Sequence, residues 1–241
     1  MAINNENPLI SATIFYYDEQ YPIELSEQVL AILEQYGMFP PHKIYAGKLT
    51  RNRFIKTNEY TRDLFVRGYR EKDVFEIDMS SGDSRLVSEY WRFDWGLTYY
   101  KSSQLVGACR LKPWNIITIQ STHGRLQDKQ ISYEFMCCIK DLIRTVKPFY
   151  ASIDNLRNKL RIMDERKYTH FHPERMQPVF WGNYFGKDYI DKVDLQNFHT
   201  LPLYNMDRIN DGLFFTLSDH PLCFEDRGVE TLRRQVEKCY L

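Results

Sequence analysis

The sequence lacks most of the signatures that announce a compartment or a reaction. Cysteine is scarce and unpatterned: Cys109, Cys137, Cys138, Cys223 and Cys239 are an odd number at no framework spacing, which fits reduced thiols rather than a disulfide scaffold. The opening Met1-Ala2-Ile3-Asn4-Asn5-Glu6-Asn7 has neither a basic start nor an apolar core, so no secretory leader is expected. No apolar run approaches bilayer-spanning length. These absences together point to the cytoplasm and away from a membrane. Charge of one sign is missing too, with 32 basic against 32 acidic residues, which disfavours a dedicated nucleic-acid binder living on phosphate neutralisation. Gly-x-Gly-x-x-Gly and phosphate-loop motifs are absent. Lys187 follows Gly186, but Asp188 stands where a phosphate loop needs a hydroxyl. No Ser/His/Asp elbow appears. Low-complexity and Gly/Ser-rich linker stretches are lacking as well, so a single compact body over 1–241 is expected.

What is present is aromatic and periodic. The chain holds 17 Tyr and 15 Phe, residues that bury large areas and, for Tyr, tolerate a half-wet position at sheet faces and binding surfaces. Leu9 to Tyr17 reads as a strand leading to a helix near Pro22. There Leu25, Val29, Ile32, Leu33 and Tyr36 form one apolar stripe. Gly37 suits the residue just past the helix, Pro40-Pro41 blocks continuation, and His42 to Ala46 returns as a short strand. The grammar recurs: a strand from Trp114 to Gln120, Ser132 as a candidate cap, a stripe of Phe135, Ile139, Leu142, Ile143 and Val146, then Pro148 and a strand from Tyr150 to Ile153. Two strand–helix–strand stretches suggest similar halves, 1–105 and 106–241. Tyr90 to Tyr100 reads as a strand or hairpin arm, and Asn155 to Arg166 as a helix with Leu156, Leu160 and Met163 on one side. Val179 to Trp181 and Leu213 to Leu217 read as strands, and Lys187 to Val193 as a short helix. Val229, Leu232, Val236 and Tyr240 mark a closing helix. The fold class expected is α+β, with mixed or antiparallel sheet and helices packed on one face.

Candidate chemistry is thin. His170 and His172 point the same way on a strand, but the further ligands needed (His199, His220, Cys223) have no recognised spacing. A metal-dependent hydrolase with a dispersed site is therefore an alternative reading only. Cys137-Cys138 lies within a helix, where Cys138 fits a small buried hydrophobe better than a nucleophile. The expectation is no catalytic residue, no metal and no cofactor.

Charge is segregated along the chain. Lys43, Lys48, Arg51, Arg53, Lys56, Arg62, Arg67 and Arg70 face only Glu59 and Asp63 in their segment, with Phe54, Tyr60, Phe65 and Tyr69 interleaved. Such interleaving suits single-stranded nucleic acid, a second alternative that overall neutrality opposes. An acidic block follows. Within it, Glu71, Asp73, Glu76, Asp78 and Asp83 are the candidate partner-binding residues, offering an acidic face to a basic partner.

The most distinctive stretch runs from Phe180 to Ile190, followed by Asp211-Gly212-Leu213 and Pro221. Pro178, Trp181, Gly182, Tyr189-Ile190-Asp191-Lys192, Asp211-Gly212-Leu213 and Pro221 resemble the bacterial immunity protein 52 family and the related type VI immunity family. The resemblance covers about the C-terminal third. One departure is Lys192-Val193-Asp194-Leu195, where one relative carries Gly-Gly. The resemblance implies a cytoplasmic protein that is not an enzyme and that binds and neutralises a cognate toxin, a nuclease if the acidic block opposes a basic cleft.

Overall fold

The computed structural model describes residues 8–17, 22–56, 61–70, 76–80, 96–101, 114–165, 175–221 and 226–241. In chain order the elements are β1 (Leu9–Tyr17), α1 (Pro22–Gln35), β2 (Lys43–Tyr45), a 3-10 turn (Gly47–Thr50), β3 (Ile55–Lys56), α2 (Thr61–Arg70), β4 (Glu76–Ser80), β5 (Gly96–Lys101), β6 (Trp114–Thr122), α3 (His123–Leu126) and α4 (Lys129–Val146). There follow β7 (Tyr150–Asn155), α5 (Leu156–Glu165), β8 (Gly182–Phe185), α6 (Lys187–Ile190), α7 (Leu195–Phe198), β9 (Asn205–Ile209), β10 (Gly212–Thr216) and α8 (Arg227–Glu237). The fold is α+β. The chain divides into two compact units, Ile14–Lys147 and Met1–Thr13 with Pro148–Leu241.

In the Ile14–Lys147 unit the strands run β3-β2-β4-β5-β6. They pair antiparallel, with Ile44 opposite Met79, Ile77 opposite Tyr99 and Leu97 opposite Ile119. Ile44, Ile77, Met79, Ile117 and Ile119 are buried, each worth about 1.5–3 kcal/mol of transfer free energy. The α1 stripe is as the periodicity requires, with Val29, Ile32 and Leu33 buried. Gly37 adopts φ +68; its N–H donates to Glu34 O at 3.0 Å and Met38 N–H to Leu33 O at 2.7 Å, a closure that satisfies the last carbonyls of the helix. The α4 stripe Phe135, Ile139, Leu142, Ile143 and Val146 is likewise buried. Its cap is Asp128 rather than Ser132: the Asp128 side chain accepts from Gln130 N–H and Ile131 N–H, so the helix starts a turn earlier than the sequence suggested.

Helix α2 was not anticipated, because its charges read as a basic strip. Its inner face is formed by Thr61, Phe65 and Gly68. Phe65 is buried, and a Cβ on Gly68 would sit 2.9 Å from Ile77 Cδ1, so the helix lies close against β4.

In the other unit the strands run β7-β8-β10-β9, with Tyr150 opposite Phe185, Leu213 opposite Phe185, and Phe215 opposite Met206. Rings fill it: Tyr150 and Tyr189 stack at 5.3 Å, and Phe215 meets Phe185 at 5.1 Å and Phe198 at 5.0 Å, both edge to face. Several sequence expectations shift here. The strand begins at Gly182, not Val179, because side chains satisfy the backbone before it. Phe180 N–H donates to Asn183 Oδ1 (3.0 Å), Asn183 Nδ2 to Phe180 O (2.8 Å), and Trp181 N–H to Asp154 Oδ2 (2.9 Å). The helix expected to Val193 stops at Ile190, and Asp194 caps a second short helix through Asn197 N–H. α8 ends at Glu237, so Tyr240 is not helical; it bridges to Val193. On α5, Leu160 is 54% exposed and the buried residues are Asn158, Lys159 and Ile162. The inward face of that helix is polar.

Candidate functional site

That polar face builds the densest constellation among the described residues. Asp154, at the end of β7, is fully buried. Its carboxylate accepts from Asn155 N–H at 2.6 Å, Asn158 Nδ2 at 2.7 Å and Trp181 N–H at 2.9 Å. One turn along α5, the Lys159 ammonium spends its three donors on Ser152 O (3.0 Å), Ser152 Oγ (3.0 Å) and Thr13 Oγ1 (3.2 Å), and lies 5.6 Å from the Phe180 ring centre. Burial pushes the Asp154 carboxyl up, while the Trp181, Asn158 and Asn155 donors and then the Lys159 charge pull it down. Burial lowers Lys159, opposed by Asp154. Three donors aimed at one carboxylate favour its ionised form, so the cluster is an ion held by fixed dipoles. A cavity of about 10 Å³ opens beside Asp154, Asn158, Trp181, Glu230 and Arg233, room for one water and no larger ligand.

The outer wall of that cavity is α8. Arg233 is buried and donates to Glu230 through Nη2 (2.6 Å) and Nε (2.9 Å) and to Glu237 through Nη1 (2.9 Å). Glu237 also accepts from Val179 N–H at 3.2 Å. The side-chain bond from Arg233 leads in holding Glu230 down at about 2, against burial and with help from Arg234. A carboxyl depressed from an ordinary 4.5 to about 2 contributes stability that is complete above the higher value and lost as pH falls through the lower. Glu230→Gln should therefore destabilise the protein near neutrality by an amount that shrinks as pH drops through that window. Thermal melts of both proteins across the acid range check it; a gap constant with pH would refute the assignment.

The residues singled out from sequence are placed as follows. Glu76 and Asp78 lie on β4, inside the strand run, with Asp78 half-buried opposite Tyr45 and Thr98. Glu71, Asp73 and Asp83 lie outside the described residues. So do His170, His172 and Cys223. His199 is exposed at the end of α7, and the His220 carbonyl accepts from Ser218. Among the described residues no group of three or more His, Cys, Asp or Glu could hold a metal ion. Cys138 is fully buried, 3.9 Å from Met38 Sδ, and burial followed by Asp141 pushes its thiol up, as a packing residue requires. The basic segment is divided. Arg62 donates to Glu34 and Glu27, each at 2.5 Å, and Arg67 to Asp63 at 3.4 Å, while Phe65 is in the core and closed to a stacking base. Arg51, Arg53 and Lys56 are exposed and take part in no ion pair among the described residues.

The sequence reading missed Asp154 and Lys159. A signal was present: Asp154-Asn155 at a strand end with Asn158 and Lys159 one turn into a helix places four polar groups on one side.

Among the described residues no helix is long and apolar enough to cross a membrane. No family model and no curated protein matches the chain. Among solved structures it is similar to a Pseudomonas aeruginosa T6SS protein, at a TM-score of 0.62 and 12% identity, covering 97% of this chain and 74% of that one. The two share a fold.

Proposed function

We propose that this chain is an immunity protein of a type VI system, which binds a cognate toxin and neutralises it without chemistry of its own. The observation that carries the reading is the likeness to a T6SS protein over 97% of the chain. The residues behind the sequence resemblance support it by their placement. Trp181 Nε1 donates to Ser218 O and Oγ at 3.0 Å. Tyr189 is fully buried, Pro221 is buried, and Gly212 lies under the Tyr184 hydroxyl. They build one packed scaffold, and a rigid scaffold is what an inhibitor working by surface complementarity needs.

The test is coexpression with the product of the reading frame neighbouring this chain's, the candidate toxin. Cells making the toxin alone should stop growing, cells making both should grow, and the two proteins should co-purify in fixed ratio. Growth arrest undiminished by this chain, with no complex recovered, sinks the proposal.

A further inference from the structure

We propose that the exposed cationic edge from Lys43 to Lys56 docks an acidic protein surface; resting on the toxin-neutralising reading, that surface belongs to the toxin. Residues 42–56 contain Lys43, Lys48, Arg51, Arg53 and Lys56 and no Asp or Glu. Lys48, Arg51, Arg53 and Lys56 are exposed. The antiparallel register of β2 and β3 sets Lys43 directly opposite Lys56. Like charges facing each other across a strand pair are destabilising, a cost that an external carboxylate removes. β3 ends the strand run of its unit, so among the described residues no strand lies beyond this edge.

The turn beside it is pre-shaped. Thr50, buried, accepts from Ala46 N–H at 3.1 Å and donates to Gly47 O at 3.3 Å. Arg51 N–H donates to Lys48 O at 3.0 Å and Asn52 N–H to Gly47 O at 2.9 Å. Arg51 and Asn52 both sit at φ 55, a left-handed pair that local bonds must hold. Arg51, Asn52, Arg53 and Phe54 all emerge from this turn exposed. Phe54 is 53% exposed, its ring 5.5 Å from Tyr45. Arginines around an exposed aromatic on a stiff turn are the composition of an interface anchor. The neighbouring cations of α2 differ from Arg51, Arg53 and Lys56, since Arg62 and Arg67 already have carboxylate partners among the described residues.

A protein partner is favoured over single-stranded nucleic acid for two reasons. Phe65 is in the core and so is closed to a stacking base. The whole chain is neutral, at 32 basic and 32 acidic residues, so a long polyanion gains nothing beyond the patch, whereas a discrete acidic patch is matched by a discrete basic one.

The decisive experiment compares wild type with the triple variant Arg51→Glu, Arg53→Glu, Lys56→Glu and the control Lys129→Glu, an exposed cation on α4. Each is titrated against the candidate toxin, an oligoglutamate peptide, and an oligothymidylate of equal charge. Circular dichroism confirms that the variants fold. The triple variant should bind toxin on the order of 100-fold more weakly, with Lys129→Glu unchanged and wild-type association slowing as salt rises. Phe54→Ala, which alters no charge, should lose roughly 10-fold. Toxin bound equally well by the triple variant overturns the docking edge and leaves the immunity reading standing. If wild type binds no toxin, the immunity reading fails, and oligoglutamate then decides the edge: binding abolished in the triple variant supports it, and no binding overturns it. Tighter binding of oligothymidylate than of oligoglutamate also overturns it.

Discussion

Replacing Asp154 with alanine will lower stability by about 3–5 kcal/mol, the usual cost of removing one partner from a buried charge network. The melting temperature should fall by roughly 10 °C for a chain of this size. The magnitude follows from what the carboxylate serves. Without it, Asn155 N–H, Trp181 N–H and Asn158 Nδ2 lose their acceptor together, and each is buried too deeply for bulk water to replace it. The Lys159 ammonium, which has only neutral oxygens for direct partners, loses the anion that offsets its desolvation. Asp154→Asn combined with Lys159→Met removes both charges and keeps one acceptor oxygen, so the double variant should be more stable than Asp154→Ala. Its cost should also depart from the sum of the single costs by about 1–3 kcal/mol.

The pH dependence gives a second reading of the same network. Lys159 is depressed by burial, so between its folded value and its ordinary value near 10.5 the unfolded chain binds more protons than the folded one. Through this group stability rises with pH across that window. The wild type should thus gain on Lys159→Met as pH is raised above neutrality. Urea titrations at several pH values measure both effects. A loss under about 1 kcal/mol in Asp154→Ala would show that the cluster does not hold a buried ion.

How much of this was legible follows from which groups decide each feature. The α1 and α4 stripes were readable because burial of Val29, Leu33, Ile139 and Leu142 repeats at helical spacing and nothing competes with it. Gly37 was readable because a positive φ at a helix end selects glycine. Helix α2 was hidden, since Arg62 and Arg67 spend their charge on carboxylates from residues 27 and 34 and on Asp63, and a sequence shows only the charge. The start of β8 was misplaced for a related reason. Asn183 and Asp154 bond the backbone of Phe180 and Trp181, an alternative to the ladder that no periodicity reveals. The polar inner face of α5 escaped because a helix is ordinarily read by its apolar side, here Leu160, which is the exposed one. Of the candidate partner-binding acids, β4 carries Glu76 and Asp78, and among the described residues Arg51, Arg53 and Lys56 are exposed and take part in no ion pair.

Gly186 is the position in the distinctive aromatic stretch where a single methyl group should matter most. Its φ of −70 and ψ of 178 suit any residue, so alanine there meets no backbone strain of its own. The obstacle is the neighbouring chain. A Cβ would fall 2.5 Å from Pro148 O, 2.8 Å from Phe149 Cα and 3.0 Å from Phe149 O, and backbone atoms cannot swing aside as a side-chain tip can. Gly186 N–H also donates to Phe149 O at 3.0 Å, so separating the two segments breaks that bond and pulls on the adjacent Tyr150–Phe185 pair. Both of those rings pack against Tyr189, the first at 5.3 Å and the second at 6.0 Å. Gly186→Ala should cost about 3 kcal/mol, the upper part of the range for overpacking. Gly37→Ala supplies the contrast. There φ is +68 with nothing within 4 Å of a new Cβ, and only the left-handed strain of roughly 1–2 kcal/mol is expected. Denaturant midpoints of the two variants separate crowding from strain. The crowding argument fails if Gly186→Ala proves no more destabilising than Gly37→Ala. If instead the large loss appears, the strand-to-helix step at Gly186 is fixed by the approach of Pro148 and Phe149, and the aromatic scaffold beneath α6 depends on it.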